Sequence, residues 1–448
     1  MSSFADARHS VLFVGWLVGC TGSKPDLDAG PAVTLAQDQV TAATVTWSTR
    51  ASVGGYVEWG LDTNYGRATV EGEPAEVHTA VLLGNKADTI YHYRTVNDGV
   101  PGADHTFRTG PLPDGLPTLT VTGESTWRGF LFFGVMGPTN AIIGLDPDGD
   151  IVWYCLDDRG GVLWRARRQH DSAGVAYNIS TSPGAAGGTH EILNVGWAGD
   201  KHPVVAGGTH HDWDWLAEPD QALMTREVLV EDDAGQVVGD QLIEVSPDGT
   251  IEVVWDAFDN FDPQGEGPDE EPDDGSGWTH LNTLHVADDG AHAYVGARNF
   301  SSLIKANLET GGVEWVFGGT LSDWSFTNTD RPFIRQHQFE FTYDEAGAED
   351  SVVLFDNGSG SEQSSRIVEF ALDASAMTAT EVWSYTPSPP MYCLVMGDVQ
   401  RVESGNYLVT WSTFGQLDEV TPDKEVVWRV TDDSGYGMAY VTQVATLP

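Results

Sequence analysis

Ser246-Pro-Asp-Gly-Thr-Ile-Glu-Val-Val-Trp255 is a tight turn followed by a short strand that ends in tryptophan. Pro presets φ for the turn, Gly accepts its left-handed position, and the β-branched run suits a pleated surface. The unit recurs as Asp146-Pro-Asp-Gly-Asp-Ile-Val-Trp153 and Thr421-Pro-Asp-Lys-Glu-Val-Val-Trp428, and in shorter form as Glu309-Thr-Gly-Gly-Val-Glu-Trp315 and Glu381-Val-Trp383. The double gap between Trp153 and Trp255 holds a weaker copy, His190-Glu-Ile-Leu-Asn-Val-Gly-Trp197. Six units therefore repeat about every 55 residues, and strands at that period read as propeller blades. One blade cannot bury both of its faces, so six should close radially around a channel.

After each tryptophan the chain turns back toward the next inner strand, and a polar residue follows. These are His170, His211, His280, His337 and Asp398. Equivalent positions in a closed ring face the same axis, which predicts that the imidazoles meet at one mouth of the channel.

Outside the repeats, residues 32–110 carry short alternating strands, among them Gly55-Tyr-Val-Glu-Trp59 and Thr89-Ile-Tyr-His-Tyr-Arg-Thr95. Their size suits one small antiparallel β-sandwich resembling a fibronectin type III module, with Tyr91 or Tyr93 as its tyrosine corner. Pro111-Leu-Pro-Asp-Gly-Leu-Pro117 reads as the linker, and 118–448 as the all-β, six-bladed propeller. At the start, an apolar stretch ends in Leu17-Val-Gly-Cys20. It is too short to span a bilayer and looks like a bacterial lipoprotein signal over residues 1–20, with Cys20 as the lipidated residue and 21–31 as a tether. That implies an exported, cell-envelope protein touching membrane only through the lipid.

The chain holds 67 acidic against 22 basic residues, a net charge of −45, which leaves no basic footprint for nucleic acid. The densest acidic run, Asp259 to Asp274, lacks hydrophobic residues and reads as a disordered loop. Besides Cys20 there are only Cys155 and Cys393, which an exported protein could pair or keep as two buried thiols.

Several stretches in order resemble the arylsulfate sulfotransferase family: Thr209-His-His-Asp-Trp213, Trp278-Thr-His-Leu-Asn282 with Gly296-Ala-Arg298, Gln336-His-Gln-Phe-Glu-Phe341 with Leu354-Phe-Asp-Asn-Gly358 and Ser365-Arg366, and Gly397-Asp-Val-Gln400. The resemblance implies a six-bladed propeller with an N-terminal sandwich. It also implies transfer of a sulfuryl group from an aryl sulfate to a phenol through a sulfohistidine, without cofactor, metal or nucleotide sulfate donor. His337 falls on the family's nucleophile, His280 and Asn282 on its Trp-x-His-x-Asn pair, and Arg298 on its arginine. The family's earlier histidine falls on His210 or His211, with His211, directly before Asp212, the better match. His170, Asn357 and Arg366 complete the candidate substrate-binding set, although Asn357 would equally suit a turn bracing His337. Two departures stand out. The cysteine pair often found near the nucleophile is missing, and Leu216-Ala-Glu-Pro-Asp220 replaces the usual Pro-Asn-Gly-Asn turn.

The chemistry suits these residues. Sulfuryl transfer, like phosphoryl transfer, spreads negative charge over three oxygens, so catalysis is positioning and charge stabilisation. Arg298 offers a permanent planar fork, and histidines can alternate as acid and base for the phenol. Two other classes compete: a surface-displayed binding propeller without catalysis, and a zinc site built from the histidines, against which Arg298 argues by repelling a metal ion.

Overall fold

A computed structural model describes residues 30–180, 190–206, 209–217, 221–232, 235–263, 277–359 and 364–448. The lipoprotein-type signal, Cys20 and most of the acidic run lie outside the described residues. The first acidic-run residues are ordered: Asp259 and Asn260 end a short helix, Ala257–Asn260, capped by Asp256.

The repeat units are the outer parts of six sheets, antiparallel except where Ser325–Phe326 adds parallel to Thr378–Tyr385 at the outer edge of blade 5. Blade 2 is typical, running Val162–Arg168, Gly174–Ser180, His190–Gly196 and Lys201–Ala206 from the channel outward. Blades 3, 4 and 5 begin on the inside with Thr209–Trp215, Leu281–Val286 and Phe339–Tyr343. Blade 6 begins with Asp398–Arg401. The ring is closed twice. Leu119–Gly123 adds to the outer edge of blade 6, beside Val426–Asp432, and C-terminal Gly437–Met438 and Thr442–Val444 supply the inner edge of blade 1. Both ends of the propeller segment are thereby held in closing blades, and among the described residues no inner strand is left unpaired.

The turns obey their sequence. In Asp146–Asp150 the Asp146 carboxylate accepts from the Asp148 and Asp150 amides, and Gly149 sits at φ 86°. In the last copy Lys424 takes that left-handed position at φ 70°, a strain glycine would avoid. The repeat tryptophans fill the seams between blades. Trp153, Trp255 and Trp428 are 1% exposed and pack with apolar residues of the adjoining blade. Trp197 corrects the alignment of repeats: it follows His190–Gly196, the third strand of its blade, rather than closing a fourth. Its indole packs edge-on to Trp153 across the seam.

Residues 32–108 form one seven-stranded sheet organised by the long strand Gln39–Gly60, which pairs on different stretches with Gly72–Leu82 and Ile90–Asn97. A separate core of Trp47, Val57, Trp59, Tyr91, Tyr93 and Phe107 holds it. The sheet is tied to blade 1: the Val40 amide donates to the Tyr154 hydroxyl, and the Lys86 ammonium lies 2.6 Å from both Asp148 and Asp150.

Candidate active site

Inner strands expose alternate residues to the axis. Here these are polar: Arg165 and Arg167, Gln338 and Glu340, and Asp398 and Gln400 line the channel, and Asp212 and Asp214 pair with the two arginines. Above them, where the inner strands begin, the backbone turns sharply. His211, His280, Arg335 and Met396 all adopt positive φ, between 50° and 58°, at the entry to four consecutive blades. Non-glycine residues rarely adopt this conformation and it costs about 1–3 kcal/mol each, so its recurrence around one mouth marks a site held by its surroundings.

Three of the predicted histidines gather there. The His211 ring lies 4.6 Å from that of His280 and 4.1 Å from that of Trp164. His337 is 2% exposed and senses the charges of Arg298 and His280. Its Nδ1 is 2.7 Å from Asn357 Oδ1, while its Nε2 accepts from the Met396 amide at 3.0 Å. Asn357 has no freedom to rotate, because its Nδ2 donates to the Cys393 and Met396 carbonyls, both at 2.8 Å. Its Oδ1 must therefore accept, which places the His337 proton on Nδ1 and the lone pair on Nε2. Burial and then the Arg298 cation push the His337 pKa down to about 3, so the ring is neutral at ordinary pH. Burial, reinforced by His280, holds His211 well below its usual value as well.

Arg298 is 2% exposed and opens a short 3-10 turn, Arg298–Phe300. Its amide donates to the His280 carbonyl, and its Nη1 donates to Asn299 Oδ1 at 2.9 Å. Asn299 is itself pinned to the Gly277 carbonyl. The guanidinium is thus fixed on a rigid turn between the histidines of blades 3, 4 and 5.

The remaining candidates are placed differently. His210 lies behind His211, its Nδ1 2.6 Å from His211 Nδ1 and its Nε2 2.7 Å from Asp240 Oδ1. Asn282 is fully buried and donates to the Gln336 carbonyl at 2.7 Å, so its amide braces the segment carrying His337. Arg366 bonds Asp356 Oδ2 and the Pro332 carbonyl, and Asp356 holds the Ile334 and Gly358 amides. This arginine supports the same segment from outside the histidine cluster. His170 does not join the cluster. It sits exposed in the turn after Val162–Arg168, the far end of its inner strand, with Nε2 3.0 Å from the Leu216 carbonyl. The misalignment has a simple cause: in blade 2 the strand start carries Trp164 and Arg165 instead of a histidine. Asp398 lies in the channel, but one layer below the imidazoles.

That layer contains what sequence reasoning missed. Arg165 donates through Nε to Asp212 at 3.2 Å and through Nη1 to the Val441 carbonyl, beneath the Tyr440 ring. Asp212 also accepts from Gln338 and from the Trp213 and Leu284 amides. One carboxylate thus links blades 2, 3, 4 and 5 under the site. Burial would push its pKa up, but Arg165 and Arg167 outweigh that and hold it low. The signal was available: the Arg165 and Arg167 pair shows the period-2 spacing of a channel-facing strand. Cys155 and Cys393, left open from sequence, are two separate buried thiols.

The arylsulfotransferase (ASST) family profile matches residues 135–435, about two thirds of the chain and nearly the whole ring. The chain belongs to the arylsulfotransferase family. No curated protein matches it. Among solved structures, it is similar to a chain of a nidogen/laminin complex at 9% identity and TM-score 0.44, covering 71% of this chain and 100% of that one. Virginiamycin B lyase from Staphylococcus aureus matches at 10% identity and TM-score 0.34, covering 69% and 87%. A putative 6-phosphogluconolactonase from Bacteroides fragilis matches at 11% identity and TM-score 0.36, covering 89% and 99%. Similarity this remote has no bearing on what the chain does. Membership of the arylsulfotransferase family supports a transferase, with aryl sulfates and phenols as the expected substrate class.

Proposed function

We propose that the chain transfers a sulfuryl group from an aryl sulfate to a phenol, with His337 Nε2 as the nucleophile. The observation carrying this reading is the fixed, neutral His337 imidazole: Asn357 sets its tautomer, and burial beside Arg298 keeps its lone pair unprotonated. In the first half-reaction Nε2 attacks sulfur, the S–O bond to the aryl group breaks, and a neighbouring imidazole gives the departing phenolate a proton. In the second, an acceptor phenol loses its proton to that imidazole, its oxygen attacks sulfur, and the N–S bond breaks. Arg298 holds the sulfuryl oxygens as charge spreads onto them. The Met396 amide, which donates to Nε2 in the resting site, would pass to a sulfuryl oxygen once Nε2 bonds sulfur.

The same reading places the protein in the cell envelope, exported with a lipid on Cys20. It treats 32–110 as a fibronectin-like support joined through 111–117 to the propeller at 118–448. The Tyr91 hydroxyl accepting from the Lys86 amide, five residues upstream, suits such a module's tyrosine corner.

The deciding experiment mixes the protein with p-nitrophenyl sulfate and quenches in alkali. A sulfuryl mass on the peptide containing His337, absent from His337→Asn, is the expected result. Sulfuryl transfer to phenol without that adduct, or undiminished in the variant, would remove His337 from the role.

A further inference from the structure

We propose that Asp240, His210 and His211 form a two-imidazole proton switch, in which His211 trades a proton with the phenol while His210 carries the charge. This rests on the transferase reading above and adds to it a carboxylate, Asp240, that no motif singled out.

The geometry leaves few choices. Asp240 is 2% exposed and accepts from the Leu281 amide at 2.9 Å and from the Thr279 hydroxyl. It is therefore an acceptor, and His210 Nε2, 2.7 Å from its other oxygen, carries a proton. The Nδ1 atoms of His210 and His211 are 2.6 Å apart, a distance that requires one proton between them, since two lone pairs or two N–H groups would repel. His211 has only Nε2 left for the pocket. With His210 neutral, His211 donates through Nδ1 and offers an Nε2 lone pair. With His210 as imidazolium, it donates to His211 Nδ1, and His211 presents an Nε2–H. His211 is neutral in both states but changes from base to acid.

The surrounding charges favour this division. Packed around His211 are His280, His210, His337 and Arg298, all of which oppose a positive charge on its buried ring. His210 faces Asp240, with Glu227 beyond. Burial alone would lower its pKa, but these carboxylates outweigh burial and raise it. The positive charge thus rests one ring away from Arg298, against a carboxylate.

Protons balance over the cycle. When the aryl S–O bond breaks, the phenolate takes the Nε2 proton of His211, the bridging proton moves from His210 to His211 Nδ1, and His210 becomes neutral. When the acceptor attacks, its phenolic proton enters at His211 Nε2, the bridging proton returns, and the His210 imidazolium is restored.

The test compares Asp240→Asn and His210→Gln with the unaltered protein on two donors. Phenyl sulfate has the more basic leaving group, and p-nitrophenyl sulfate the more acidic one. General-acid assistance is worth about a hundredfold or more where the leaving group needs it. Turnover of phenyl sulfate should fall by roughly that factor, with a much smaller loss on p-nitrophenyl sulfate. The alkaline limb of the kcat profile should move to lower pH in Asp240→Asn. Equal losses on both donors, or an unmoved alkaline limb, would overturn the switch. Nitrogen-15 NMR of the imidazoles in the resting protein needs no turnover. His210 should keep its Nε2 proton, and His211 should never show an imidazolium. A cationic His211 overturns the switch by itself. The expected NMR pattern in a protein that transfers no sulfuryl group would uphold the proton arrangement of Asp240, His210 and His211 but discard the transferase reading, and with it the phenol as the partner of the switch.

Discussion

The His337 pKa of about 3 makes a prediction about stability that needs no substrate. In the unfolded chain this imidazole takes up a proton near 6.5; in the folded protein it does so only near 3. The folded pKa is depressed, so the unfolded state binds more protons between those values. Stability is complete above about pH 6.5 and is lost as pH falls toward 3. Across the whole window the loss is on the order of 5 kcal/mol at 1.36 kcal/mol per pH unit, and at pH 5 it is about 2 kcal/mol. His285, pushed down to about 4 by burial, and His211 add losses of the same sign. His210, raised, contributes in the opposite sense. Replacing His337 with Gln removes one titration while keeping a polar side chain. Urea unfolding of both proteins at pH 8 and pH 5 then gives a difference of differences, in which any fixed cost of the substitution cancels. The parent should lose about 2 kcal/mol more than His337→Gln on moving to pH 5. Equal losses would mean that His337 protonates alike in the folded and unfolded chain, and the argument for a neutral nucleophile would fall with it.

Arg298→Met should lower kcat/KM for aryl sulfates by about a hundred- to a thousandfold, the cost of removing one transition-state donor. The His337 imidazole should titrate at higher pH in that variant by NMR, and an unmoved titration would show that Arg298 does not bear on it. Arg165→Met strands the buried Asp212 carboxylate and should cost about 3–5 kcal/mol in chemical unfolding. Adding Asp212→Asn should recover part of that loss, and a single-variant cost under about 1 kcal/mol would mean the pair is not a structural tie.

How much of this was legible beforehand follows from which forces act locally. The turn-strand-tryptophan unit is local chemistry, and it correctly counted the blades because each tryptophan sits where one sheet meets the next. It misplaced Trp197, which fills the same kind of seam from a different strand. His211, His280 and His337 were legible because strand starts in a closed ring share one mouth, whereas Arg298, on the turn that follows His292–Ala297, was reached only through the family resemblance. His170 was not, because counting residues after a tryptophan does not fix where an inner strand begins. Trp164 and Arg165 occupy the blade-2 position instead. The network of Arg165, Asp212 and Gln338, and the contact of Asp240 with His210, join residues that the fold alone brings together. The ring order told which blades adjoin, but not which side chains would bond across them.

A net charge of −45 and a site for anionic substrates look contradictory until the distances are considered. Surface carboxylates more than about 8–10 Å from the pocket are screened at physiological ionic strength, whereas groups inside it are not. The acidic residues buried near the histidines are already matched: Asp212 by Arg165 and Arg167, Asp240 by His210. Toward the substrate stands the Arg298 guanidinium, beside the neutral His211 and His337 imidazoles. The Arg298 guanidinium, the His211, His280 and His337 rings around it, and a fourth ring, His210, set back against Asp240 suit the proposed transfer: a cation for the sulfuryl oxygens beside a ring that can exchange a proton with the phenol.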